Sequence, residues 1–175
     1  MRRARLRLHL RVLVEPDVTI RALIDSCDQA YRPAGLSVDV RSQTTLRLSD
    51  REIQLFNTLN VGNGCMGSRV TAEQDQLFAL ARGIDEREVV IFFVQETFRA
   101  VSGCAQHPEH QPGAIVVSAC SEWTLAHELG HLLMLTHVDD SRRLMFNRGT
   151  VGISRRPPEL AADEITTILE SPLLH

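Results

Sequence analysis

The sequence predicts an α/β or α+β domain built on one sheet, and three observations carry that prediction. Apolar and polar residues alternate in Leu6–Val14 and again in "LSVDV" at 36–40, the period-two mark of half-buried strands. "EVVIFFV" at 88–94 is a continuous β-branched and aromatic run, as expected of a strand covered on both faces, and "AIVVSA" at 114–119 reads as a further strand. Between and after these runs, apolar residues recur at helical spacing behind recognisable caps. A chain of 175 residues is expected to form one domain, 1–175, and to bury roughly two-thirds of its unfolded surface.

In chain order, Leu6–Val14 is the first strand. Asp17 or Thr19 caps a helix in which Ile20, Leu23, Ile24, Cys27 and Tyr31 share a face, and Pro33 and Gly35 end it. The second strand follows at 36–40. Ser49 and Glu52 form a capping-box pattern before "IQLFNTLN". A glycine-rich loop, "VGNGCMGS", spans 61–68, and Thr71 with Gln74 opens another helix that stops at Gly83. The strands at 88–94 and 114–119 enclose a turn-rich loop, "HPEHQPG", at 107–113. A helix follows from Ser121, and the last helix runs from Pro158 to Glu170, with proline in its first turn and Pro172 just past its end. No repeat or interdomain linker interrupts this order.

An apolar fraction of 43% and a charged fraction of 23% are ordinary for a globular chain. The formal net charge of −3 argues against a nucleic-acid or anionic-membrane partner, and a monomer is expected. No stretch approaches the roughly 18 uninterrupted apolar residues of a membrane helix. The basic start, "MRRARLRLHLRVLV", alternates with Arg5, Arg7, His9 and Arg11 where an export signal needs a continuous apolar core, so a cytoplasmic location is expected; export requires a leader removed from the chain. Cys27, Cys65, Cys104 and Cys120 contain no C-x-x-C pair. Reduced thiols are the expectation, with two disulfides as the alternative in an oxidising compartment.

The chemistry is concentrated in "TLAHELGHLLMLTHVDDSRRLMF", Thr124 to Phe146. Residues four apart on a helix differ by about 40° in azimuth, so His127 and His131 project from one face and can share a cation. Neutral imidazole suits zinc, which takes three protein ligands in catalytic sites and keeps a fourth position for water. Glu128 adjoins the first ligand, where its carboxylate can act as base toward that water. The competing reading is a buried helix with satisfied core histidines. The helix is apolar on nearly all sides, however, and two histidines and a glutamate inside it are costly unless something pairs them. Gly130 costs roughly 1 kcal/mol against alanine in mid-helix, which points to close backbone packing there. His107 and His110 flank prolines and are expected to be solvated, as is His9 on its strand face.

"HELGHLLMLTH" followed by "RLMF" resembles the metzincin zinc peptidases, whose long motif is H-E-x-x-H-x-x-G-x-x-H with a downstream methionine turn. The resemblance implies a twisted mixed sheet with an active-site helix and a C-terminal helix. It implies one catalytic zinc ion held by His127, His131 and His137, Glu128 as general base, and Met145 as an apolar floor beneath the metal. It also implies an endopeptidase whose peptide or protein substrate lies along a sheet edge near Ala100–Ala105, with "FNRGTVGISRRP" walling the pocket for the residue after the scissile bond. Arg148, Arg155 and Arg156 in that segment are candidates to attract acidic side chains, with solvated surface positions as the stronger expectation. One departure stands out: the glycine of the long motif is Met134 here. His137 is about 280° around an ideal helix from His127, so the helix has to break near Met134–Leu135 for the third imidazole to return.

Two alternatives stay open on the residues alone. Glu159, with Asp163 in support, is a candidate third ligand of a gluzincin-type site. A zinc-stabilised binding domain without turnover is the other. Cys65 reads as a structural loop cysteine more readily than as a thiolate that blocks the metal.

Overall fold

The computed structural model describes residues 4–63, 65 and 69–175. It is a mixed α/β structure with a mostly parallel sheet. In chain order the elements are β1 (Ala4–Val12), α1 (Ile20–Tyr31), β2 (Leu36–Thr45), α2 (Asp50–Phe56), β3 (Thr58–Leu59), α3 (Ala72–Ala79), β4 (Val89–Val94), β5 (Glu96–Thr97), β6 (Gly103–Cys104), β7 (Gly113–Val117), α4 (Thr124–Leu132) and α5 (Ala162–Leu169). The main sheet has the order β2-β1-β4-β7-β6, and β3 pairs with β5 in a small second sheet. The pairs β1–β2, β1–β4 and β4–β7 are parallel, whereas β6 runs antiparallel to β7 and forms an edge.

The hydrophobic patterns explain the layering. Side chains alternate across a strand, so β4 sends Val89, Ile91 and Phe93 to one core and Val90, Phe92 and Val94 to the other. The first core is closed by α1, α4 and α5, and the second by α2, α3 and the residues around β3. β1 contributes Leu6, Leu8, Leu10 and Val12 to the first core only. Its other face carries Arg7, His9 and Arg11, all partly buried. His9 is therefore not the surface histidine expected from alternation: its Nε2 is 2.6 Å from Glu88 Oε2 and its Nδ1 is 2.8 Å from Ser42 Oγ. That hydrogen bond and the neighbouring Arg7 hold the Glu88 carboxyl below its usual range.

Caps set the helix starts. Thr19 accepts from Ala22 N–H, and the capping boxes at Ser49/Glu52 and Thr71/Gln74 are both formed. Several boundaries differ from the periodicity. β1 starts and ends earlier than Leu6–Val14: Ala4 and Arg5 already pair with Leu36 and Ser37, and the pairing with β2 stops at Val12 although the alternation continues. β2 runs on to Thr45 beside β1. α3 gives way to a turn at Leu80, short of Gly83, and α4 begins at Thr124 after a turn from Ser121. α5 begins at Ala162, not Pro158, because Glu159 is held in an extended pairing with Arg143 and Glu159 N–H donates to the Arg142 carbonyl. β3, β5 and β6 have two residues each, too few to leave a periodic signal.

The cysteines also depart from expectation. Cys65 and Cys104 form a disulfide with a Cα–Cα separation of 4.8 Å, while Cys27 and Cys120 are free and buried. The two partners are 39 residues apart, so no local spacing announces the pair. Of the expected loop at 61–68, Gly64 and the stretch 66–68 lie outside the described residues. No helix among the described residues is long and apolar enough to cross a membrane.

The Arg143–Glu164 ion pair, at 2.7 Å with side chains 19% and 9% exposed, ties α5 to the segment after α4. Glu164 also accepts from Ala161 N–H at the start of α5. Removing one partner leaves a poorly solvated charge. Glu164→Ala is expected to lower the unfolding free energy by about 2–3 kcal/mol, read by urea denaturation; an effect under about 0.5 kcal/mol would show that the pair is solvated.

Candidate metal centre and cleft

Helix α4 is buried over nearly its whole length, packed against α1, β6 and β7. The Tyr31 hydroxyl of α1 donates to the Ala126 carbonyl at 2.6 Å and fixes the two helices to each other. Gly130 has a packing role: a methyl group there would stand 2.5 Å from Met145 Sδ, so the absent side chain lets Met145 lie against the helix backbone. Met145 is fully buried.

The helix ends by a closed hydrogen-bond pattern. Leu135 N–H donates to the Gly130 carbonyl at 2.9 Å and Met134 N–H to the His131 carbonyl at 3.0 Å. This six-to-one and five-to-two pairing is a Schellman closure, which needs a left-handed residue at the position of Met134. Met134 has φ +69°. Its side chain is 72% exposed, so the strained backbone is not offset by burial. The chain then reverses: Val138 N–H donates to the Met145 carbonyl and Asn147 N–H to the Val138 carbonyl, which draws His137 back over α4.

The result is a converging set of imidazoles. His137 Nε2 is 3.1 Å from His127 Nε2 and 3.1 Å from His131 Nε2. His127 Nδ1–H donates to the Leu144 carbonyl at 2.8 Å and His131 Nδ1–H to the Leu135 carbonyl at 3.1 Å. With those protons on Nδ1, the two Nε2 atoms present lone pairs toward one point. A single proton on His137 can serve only one of them, whereas a cation serves all three. Ligands about 2.0–2.1 Å from a tetrahedral zinc stand roughly 3.3 Å apart, close to the observed spacing. Burial pushes the His127 pKa down to about 4, and the two neighbouring histidines add to the fall. Burial also lowers His131 and His137, so the set favours the neutral form that binds metals.

Glu128 points from the same helix into the cleft over the histidines, a space of about 720 Å³. Its carboxylate lies against the edge strand: a methyl group on Gly103 would be 2.6 Å from Glu128 Cγ and Oε1. Burial pushes the Glu128 pKa up to about 8, opposed by a backbone hydrogen bond from Ala105. A divalent cation beside it would favour the ionised form.

The three histidines, Glu128 and Met145 are thus brought together, and among the described residues His127, His131 and His137 are the one group of side chains spaced to hold a metal. Glu159 is elsewhere, its carboxylate 2.7 Å from Arg155 Nη1. His107 and His110 stay in their loop, His110 near Glu86 and Glu109. Sequence reading missed Gly103, the Leu135 and Leu144 carbonyls, and the buried hydroxyls of Thr124 and Thr150, 2.9 Å apart at the cleft wall. The carbonyls have no sequence signal at all, since every residue carries one.

No family model and no curated protein sequence matches the chain. Its fold is shared with solved structures. Metalloproteinase-II from Bacteroides fragilis superposes with a TM-score of 0.67 at 20% identity, over 96% of this chain and 53% of that one, so the chain spans about half the length of that protein. An archaemetzincin from Methanopyrus kandleri gives 0.61 at 16% identity, over 94% and 93% of the two chains. The archaemetzincin from Archaeoglobus fulgidus, crystallised with malonate, gives 0.54 at 15%, over 93% and 100%. At these identities the likeness is one of fold.

Because an exposed methionine carries the left-handed turn, Met134→Gly is expected to raise the unfolding free energy by about 0.5–1 kcal/mol. Met134→Val, with a β-branched side chain, is expected to lower it. Urea unfolding of chelator-treated protein reads both changes without interference from bound metal. A destabilised glycine variant would mean that the methionine side chain contributes more than its backbone strain costs.

Proposed function

We propose that this chain is a zinc-dependent endopeptidase of metzincin type, a single catalytic domain over 1–175 acting on peptide or protein substrates. The observation that carries the reading is the convergence of three Nε2 lone pairs beside a buried glutamate in an open cleft. The fold shared with a metalloproteinase and two archaemetzincins supports it. In this reading His127, His131 and His137 hold one zinc ion, which when bound supplies Lewis-acid polarisation of the scissile carbonyl and lowers the pKa of its water toward about 7.

The chain's own residues do the rest. The Leu144 and Leu135 carbonyls hold the His127 and His131 rings in the tautomer that offers Nε2, as outer partners of metal-binding histidines do. Met145 packs beneath the helix and keeps water from the back of the site. Glu128 accepts a proton from the attacking water and returns it to the leaving amine nitrogen. The β6 edge at Gly103, with Val101 and Ser102 leading into it, offers main-chain groups to an extended peptide. The carboxylate aimed into the cleft favours turnover over a purely zinc-stabilised binding domain, and the pairing of Glu159 with Arg155 supports His137 over Glu159 as third ligand.

Purified without added chelator, the protein is expected to contain about one zinc per chain. His137→Ala should weaken zinc binding by more than about a hundredfold, while Glu159→Ala leaves it within about twofold, read by competition with a chromophoric chelator. The reverse pattern would assign the site to the glutamate-ligand class.

Glu128→Gln is expected to lower kcat/KM on a cleavable peptide by about a hundredfold or more while zinc content and fold persist. Loss of zinc in that variant would make Glu128 a ligand; unchanged activity would remove it from the reaction.

A further inference from the structure

The same cleft contains a cation that metal binding does not use. Arg99 lines it together with the three histidines, and Glu128 is its one carboxylate among the described residues. The arginines of the segment expected to wall the pocket are already paired: Arg148 with Asp139 at 3.7 Å, Arg155 with Glu159 at 2.7 Å and Arg156 with Glu122 at 2.5 Å. Arg99 has no carboxylate partner among the described residues. Its Nη2 donates to Asn63 Oδ1 at 2.6 Å, and among the described residues no other group accepts from the guanidinium.

Its position is fixed by backbone rather than by chance contact. β3 and β5 pair at Leu59 and Thr97, so the two chains leaving that small sheet carry Asn63 and Arg99 to the cleft together. Thr97 Oγ1 accepts from Val101 N–H and donates to the Val101 carbonyl, both at 3.1 Å, closing the turn that holds Arg99. Ala100 sits in that turn with φ +52°, and its N–H donates to the Thr97 carbonyl at 2.9 Å. The turn leads directly into the β6 edge. Asn147, Gly149 and Thr150 also line the cleft, none of them charged.

We infer that Arg99 is a specificity residue that selects an acidic side chain of the bound peptide through a charge-assisted, two-pronged guanidinium–carboxylate contact. This rests on the peptidase reading above. Lysine would not reproduce the fork geometry, and among the described residues lining the cleft Glu128 is the one carboxylate; an acidic group drawn instead to a bound zinc ion would keep its advantage in Arg99→Glu, which the profiling reads.

Zinc-loaded wild type, Arg99→Ala and Arg99→Glu are compared by cleavage-site profiling on a peptide library. The same acidic and neutral peptides are titrated against the zinc-loaded Glu128→Gln variant with and without Arg99→Glu. Wild type is expected to favour aspartate or glutamate over alanine at one substrate position by about tenfold in kcat/KM. That ratio should fall to about one in Arg99→Ala and move toward lysine or arginine in Arg99→Glu. A ratio near one in wild type, or an acidic preference that survives Arg99→Glu, would overturn the inference. If zinc-loaded wild type cleaves no peptide, the peptidase reading fails by itself, and the titrations still decide Arg99. Acid-selective binding abolished by Arg99→Glu supports it, and equal binding refutes it.

Discussion

The reversal of the chain after α4 is the constraint on which the metal centre depends. A continuing helix would carry His137 away to the far side, and the two helical histidines would be left with one another. The Gly130–Leu135 and His131–Met134 hydrogen bonds satisfy two carbonyls of the last turn, and they do so at the cost of one left-handed methionine. The returning strand then supplies three things in a short span. It brings His137 above the helix, the Leu144 carbonyl that orients His127, and Met145 beneath Gly130. These contributions are coupled. A methyl group on Gly130 would force the Met145 side chain to shift, and Met145 directly follows the Leu144 carbonyl that orients the first histidine.

Burial sets the electrostatics of this centre. Desolvation acts on the imidazoles and on Glu128 in opposite directions, lowering the one and raising the other, and in both cases it favours the neutral form. Such a group of polar side chains inside an apolar layer is expensive unless a shared positive charge compensates it. The protein prepares for that charge by using backbone carbonyls to hold ring protons on Nδ1, where side-chain partners would add further charges to balance.

Two hollows adjoin the centre. The Arg99–Asn63 pair, the threonine hydroxyls and the β6 edge line the cleft over the histidines. A second hollow of about 830 Å³, also reaching His131, is bordered by Leu132, Met134 and Leu135 together with His107, Glu109 and His110. Cys65 borders both, and its bond to Cys104 ties the loop after β3 to the edge strand at the point where Gly103 meets Glu128. One short strand therefore carries both the close approach to Glu128 at Gly103 and the covalent tie to the loop at Cys104.

The sequence by itself determined the layering and the helical half of the site. Alternation in β1, the two-sided apolar run of β4 and the capping boxes at Ser49 and Thr71 are local patterns, and hydrophobic burial and capping act locally enough to be read from them. His127, Glu128 and His131 were legible for the same reason, since a helix fixes their spacing. The need for a break at Met134 was also legible, as a geometric demand from His137. Tertiary structure alone decided how the break is closed, which carbonyls orient the rings, that Cys65 meets Cys104, that Glu159 turns to Arg155, and that Arg99 stands in the cleft beside Asn63. Each of these depends on segments far apart in the chain, and a one-dimensional pattern holds no record of which backbone groups and side chains the packing of a sheet will bring within reach.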